Sequence, residues 1–198
     1  MSALESFFQE IDAAWRWPAP QKQRLRIIGS AALMLQTSYV RGTKDSDVLQ
    51  TLDLTDETKS RLLSVAGAGS SLHARRRFYL DIVANGLPLL PQVPRWHALA
   101  PLSGSLQHFE IEVLDVVDVV VSKLKRFNAN DLGDVTAMID QELVPHAVLV
   151  ARFQDAIDLA TMDARGSDVP LYVRNLNRLE RDAYLVAETA FELAHWIE

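Results

Sequence analysis

The hydrophobic pattern of this chain becomes entirely helical beyond Leu114, and that change limits the folds open to it. Before it, short runs of strand type are separated by turns rich in glycine and proline. After it, apolar residues recur only at helical spacing. Residues 24–28, 45–52, 77–83 and 107–113 read as strands. Between them, 31–36 and 55–65 read as helices, the second ending before Gly67 and Gly69. Residues 85–104 hold Pro88, Pro91, Pro94 and Pro101 and read as a structured loop. An opening helix over 2–17 places Phe7, Phe8, Ile11, Ala14 and Trp15 on one face and stops at Pro18 and Pro20. In the C-terminal half, Asp115 is a good N-cap, Asn130 or Asp131 starts a second helix, Pro145 suits the first turn of a third, and a last helix spans about 170–196. The expected class is therefore α+β: a core with its N-terminal helix over 1–113, and a helical region over 114–198 packed on that core.

At 198 residues and 48% hydrophobic, the chain can bury one sizeable core. Its net charge of −6 argues against broad binding to nucleic acid, which draws on many lysine and arginine contacts to phosphate. With no cysteine there is no disulfide, no thiolate zinc site and no thiol nucleophile. Residues 1–17 lack the basic start and apolar block of a signal peptide. The most apolar stretch, 113–121, is too short for a membrane span and is broken by Asp115 and Asp118. A cytoplasmic protein with no membrane partner is the expectation.

The chemistry centres on Lys44-Asp45-Ser46-Asp47-Val48. In a strand, residues i and i+2 face the same way, roughly 6.5 Å apart along the backbone, so Asp45 and Asp47 share one side. Like charges so placed repel unless a cation neutralises them, and hard carboxylate oxygens suit magnesium or manganese. Upstream, Gly29-Ser30 opens into a helix whose first amides are unpaired and whose dipole favours an anion. Lys44, in the approach to the acidic strand, is placed to meet a phosphate. A third acid is sought in Asp81, in the otherwise apolar strand Phe78-Tyr79-Leu80-Asp81-Ile82-Val83, where a buried charge would need a partner. Glu110 and Glu112, sharing a face of the last strand, compete with it.

The run Ile28-Gly29-Ser30 followed by Thr43-Lys44-Asp45-Ser46-Asp47-Val48 resembles the signature of the DNA polymerase β nucleotidyltransferase superfamily. The stretch 121–134, with Lys123, Asp131 and Asp134, is similar to a helical motif of a poorly characterised bacterial branch related to the AbiE-type toxin nucleotidyltransferases. The resemblance covers roughly 24–139 and implies a mixed sheet flanked by helices. It implies that Gly29 and Ser30 hold the triphosphate of an NTP and that Asp45 and Asp47 ligate magnesium. Asp81 would be the third carboxylate, helping with a second ion and preparing the acceptor hydroxyl, and Lys123 would lie near the nucleotide. Ser46 departs from the pattern, where an apolar residue is commoner, but its side chain should point away from the metal.

The function so implied is transfer of a nucleoside monophosphate from an NTP to RNA, a protein or a small molecule. A toxin–antitoxin or defence setting, with an antitoxin partner or self-association, is compatible with it. The rival reading is a catalytically inactive relative that keeps the fold as a nucleotide-binding or interaction module. A glycosyltransferase using Asp-x-Asp would leave the Gly-Ser turn without a purpose. The runs Arg75-Arg76-Arg77 and Arg174, Arg178, Arg181 are the cationic clusters available to an RNA acceptor, against the background of solvated, charge-balanced surface. The histidines show no metal-ligand spacing.

Overall fold

A computed structural model describes residues 2–17, 20–42, 45–51, 54–162 and 166–191. The chain divides into two compact units, Met1–Leu87 with Arg95–Asp115, and Pro88–Pro94 with Val116–Glu198. The mixed α+β class expected from the sequence is what the structure shows.

The first unit is built on a five-stranded sheet of order β3-β2-β1-β5-β4, formed by β1 (Gln23–Ile28), β2 (Asp45–Leu49), β3 (Tyr79–Val83), β4 (Trp96–Ala98) and β5 (Phe109–Leu114). β1 runs parallel to β5 and antiparallel to β2, β2 runs parallel to β3, and β4 is antiparallel to β5. Strand alternation sorts the side chains. Leu25, Ile27, Ser46, Val48, Leu80, Phe109, Ile111 and Val113 are buried on one face, where removal of apolar surface from water drives the packing. Their neighbours on the other face are mostly charged.

Helices supply the rest of that core. In α1 (Ala3–Ala14), Ser2 and Glu5 form a capping box, and Leu4, Phe7, Phe8 and Ile11 recur every three or four residues and are buried. Buried Asp12 accepts hydrogen bonds from the amides of Gln107 and His108, both at 2.8 Å, which fastens α1 to the start of β5. α2 is Gly29–Gln36, and α3 (Asp56–Ala66) starts at the Thr55 cap and ends at Gly67. Three short elements were not legible in the sequence. α4 (Ser71–Arg76) precedes β3, and both β4 and α5 (Ala100–Ser105) lie inside the expected proline-rich loop. β4 is three residues long and is defined by pairing with β5, a non-local contact that leaves no periodic trace.

The second unit packs α6 (Val116–Lys123), α7 (Ala129–Asp140), α8 (His146–Thr161) and α9 (Val169–Leu179) around Val119, Val120, Val121, Leu124, Val135, Met138, Leu149, Phe153, Ile157, Tyr172 and Leu176. The valine run of α6 is helical although β-branched residues are poor helix formers, because nearly every side chain in it is buried. Asp118, wholly buried, takes two hydrogen bonds from Arg152 at 2.7 and 2.8 Å, and Arg152 also donates to the carbonyl of Val93 at 2.9 Å, which holds the 88–94 segment against α8. No helix among the described residues is long and apolar enough to cross a membrane.

The helix expected over 170–196 ends early. A π-helical turn over Glu180–Tyr184 follows α9, and Leu185 adopts the left-handed conformation (φ 55°). The cause is Glu180, whose buried carboxylate accepts from the hydroxyl and amide of Thr189 (2.5 and 2.8 Å) and meets Nε2 of His146 at 2.8 Å, so the chain must turn back. The tail of that expected helix, including Trp196, lies outside the described residues. Burial pushes the Glu180 carboxyl up, but the hydrogen bonds of Thr189 and His146 outweigh it and hold the group below its ordinary value of 4.5. A depressed folded pKa contributes stability that is complete above the unfolded value and lost as pH falls through the folded one. The urea midpoint of the wild type is therefore expected to fall below about pH 4.5. Glu180→Gln should flatten that fall, and an identical acid limb in the two proteins would contradict the assignment.

Candidate functional site

Register assembles the acidic residues. Asp45 lies opposite Tyr79 and Asp47 opposite Asp81, so the three aspartates and the tyrosine occupy the corners of one four-residue patch on the face away from the core. Asp45 and Asp47 are half-buried and Asp81 is exposed. The argument that Asp81 needs a partner because it is buried therefore fails. β3 is an edge strand, and water reaches its outer face. What singles out Asp81 is its place directly across from Asp47. One oxygen of Asp81 accepts the amide of Ile82 at 2.8 Å.

Ser46 faces the opposite way, as expected, and is wholly buried, with a hydroxyl that has no hydrogen-bond partner. Such a group carries a desolvation cost. It lies in the core beneath the two acids.

Gly29 brings the phosphate-cradle candidate to the same place. Ile28, the last residue of β1, pairs with Asp47, and α2 begins at the next residue. Gly29 has φ of +65°, a left-handed conformation that disfavours any side chain, and a Cβ there would stand 2.9 Å from Oδ2 of Asp47. The missing side chain lets that carboxylate lie against the start of the helix. The N-cap residue Ile28 makes no side-chain hydrogen bond to the first turn. Gly29→Ala is expected to cost about 1–2 kcal/mol in backbone strain and to displace Asp47. Chemical denaturation together with magnesium–NTP titration checks both effects, and wild-type values in both would refute them.

All three aspartates act on Tyr79. Burial raises its phenol above the ordinary value, and the charges of Asp45, Asp81 and Asp47 raise it further. It stays protonated, a donor among acceptors. On its other side the ring meets His73 edge-on at 5.0 Å. A cavity of about 350 Å³ adjoins this corner, lined by Leu63, Gly67, Ala68, Tyr79, Leu80 and Asp81.

The other expected residues are placed elsewhere. Lys44 lies outside the described residues. Lys123 belongs to the second unit, where its buried ammonium lies 3.1 Å from Asp131 and 2.7 Å from Asp134. Glu112, a rival for the third acid, is two strands from β2 and paired with Arg24 (3.4 Å) and Arg26 (2.9 Å); Glu110 lies opposite Arg24. Of the basic runs, Arg75 and Arg76 pair with Glu10, Arg178 with Asp182 and Arg181 with Glu188. They are largely charge-balanced.

A family model described as "Nucleotidyltransferase of unknown function (DUF6036)" matches residues 2–167. The chain belongs to this nucleotidyltransferase family. The match to DUF6036 spans the whole sheet and all three aspartates, and reaches through α8. No curated protein and no solved structure matches the chain significantly.

Among the described residues no three His, Asp or Glu side chains converge into a ready-made metal cage. Magnesium does not require one, since it keeps several waters and is bound through one or two carboxylates plus substrate phosphates. Two half-buried acids on one strand face, one of them lying against the glycine at a helix start, fit that donor set.

Proposed function

We propose that this member of DUF6036 is a magnesium-dependent nucleotidyltransferase that moves a nucleoside monophosphate from an NTP to a hydroxyl-bearing acceptor. The observation that carries the reading is the shared face of Asp45, Asp47 and Asp81 with Gly29 closed against Asp47. Asp45 and Asp47 would hold the cation, which when bound neutralises charge on the triphosphate. Gly29 and Ser30, at the start of α2, cradle the phosphates through main-chain donors and the serine hydroxyl. Asp81, beside the cavity, takes the proton of the acceptor hydroxyl as its oxygen bonds to the α-phosphorus. The α–β bridging bond breaks and pyrophosphate leaves. Positioning and charge stabilisation supply most of the rate in such a transfer. Lys44 is carried in the proposal as a nucleotide-side cation, from the resemblance of its sequence surroundings, whereas Lys123, buried against Asp131 and Asp134, is left out of it.

A second reading is a fold that binds nucleotide without transferring it. The outward exposure of Asp81 and its hydrogen bond to Ile82 favour that reading. Incubation with each α-labelled NTP, magnesium and a cell extract separates the two: label retained in RNA, protein or a small molecule supports transfer. Calorimetric binding of magnesium–NTP with no label transferred supports the second reading.

A further inference from the structure

The face that carries the aspartates continues across β1, β5 and β4 with a second charged group. Arg26 is paired in register with Glu112, Glu112 with Ala98, and Trp96 with Leu114, so Arg26, Glu112 and Trp96 share that face. Arg26 donates through Nε to Glu112 Oε2 at 2.9 Å, and Nε of Arg24 lies 3.4 Å from Oε1 of the same carboxylate. The guanidinium carbon of Arg26 stands 4.9 Å from the centroid of the Trp96 ring. One carboxylate thus sets two arginines, each through Nε, and an indole covers one of them.

Among the described residues the terminal guanidinium nitrogens of Arg24 and Arg26 have no hydrogen-bond partner, and the two side chains remain 43% and 30% exposed. A cross-strand ion pair serves the sheet with one arginine. Glu110, in register with Arg24, balances the charge of the second arginine, but the terminal nitrogens of both leave a set of planar donors oriented before any ligand arrives, the geometry that suits a phosphate. Arg26 lies two residues before Ile28, the partner of Asp47. Two steps along a strand and one across place its backbone about 8 Å from that of Asp47.

We infer that Arg24 and Arg26, set by Glu112 and Trp96, form a phosphate-binding subsite on the face shared with the aspartates. Its role in transfer rests on the proposed reading of those aspartates; its affinity for phosphate does not. The phosphate comes either from the far end of the NTP triphosphate or from a nucleic-acid acceptor.

The test compares wild type with Arg24→Gln/Arg26→Gln by calorimetry, in the full chain. One arm titrates magnesium with α,β-methylene-ATP, and the other titrates an RNA tetranucleotide into protein saturated with that analogue. A tenfold or greater loss in the first arm assigns the triphosphate, and the same loss in the second assigns the acceptor. Arg24→Gln alone keeps the Arg26–Glu112 hydrogen bond, guards against a folding failure of the double variant, and should weaken the same arm at least threefold. Affinities within twofold of wild type in both arms, or a wild type that binds neither probe, overturn the inference. Binding that depends on these arginines in a protein that transfers no label would leave the subsite standing and remove the transferase reading.

Discussion

Asp47→Asn is expected to lower NTP turnover at least about 100-fold while leaving the protein folded. The substitution keeps the shape of the side chain but removes half the negative charge that Asp45 and Asp47 bring to one strand face. The fold should tolerate it for a physical reason. Asp47 is half-buried on the face away from the core, and its charge is one of three that act on Tyr79, so removing it relieves like-charge repulsion. Asp45→Asn should behave in the same way. Asp81→Asn should slow transfer yet preserve magnesium–NTP affinity, because that residue is assigned to the acceptor side. Transfer of label from an α-labelled NTP to acceptor, read beside magnesium–NTP calorimetry and a thermal unfolding curve, distinguishes these outcomes. Wild-type turnover in Asp47→Asn would remove the catalytic assignment.

Lys123→Met is expected to be the most destabilising of the single substitutions considered, at about 3–5 kcal/mol. The lysine is 7% exposed and stands between Asp131 and Asp134, themselves 3% and 0% exposed. Deleting the ammonium removes the cation at 3.1 and 2.7 Å from two buried carboxylates in a setting that hydrates them poorly, with Arg126 still 3.8 Å from Asp131. For a domain whose whole stability is about 5–15 kcal/mol, that is a large fraction. Urea unfolding measures it. Adding Asp131→Asn and Asp134→Asn to Lys123→Met should recover part of the loss, since the three side chains act as a unit. An unchanged urea midpoint in Lys123→Met would show that the cluster contributes nothing to the fold.

The sheet and its acidic patch were legible because both rest on local rules. Alternation placed Asp45 and Asp47 on one side and Ser46 on the other, and a glycine before a helix marked the turn at Gly29. The partner of Asp47 was not legible. Whether Asp81, Glu110 or Glu112 lies across from it depends on strand order, and strand order is a property of non-local pairing. The premise offered for Asp81, burial in an apolar strand, was mistaken because apolar neighbours cannot reveal that β3 sits at the edge of the sheet. Arg24 and Arg26 were passed over for the same reason. In the chain they are ordinary alternating residues of β1, and only the register with β5 and β4 joins them to Glu112 and Trp96. The last helix was overdrawn because the turn at Leu185 depends on the contacts of one buried carboxylate with residues distant in sequence.

The position of β3 at the sheet margin separates two duties in the proposed enzyme. Asp47 is braced by a strand on either side, whereas Asp81 is braced by only one. Evolution or a protein engineer seeking a new acceptor can thus remodel the outer border near Asp81 while the machinery that grips the nucleotide keeps its shape.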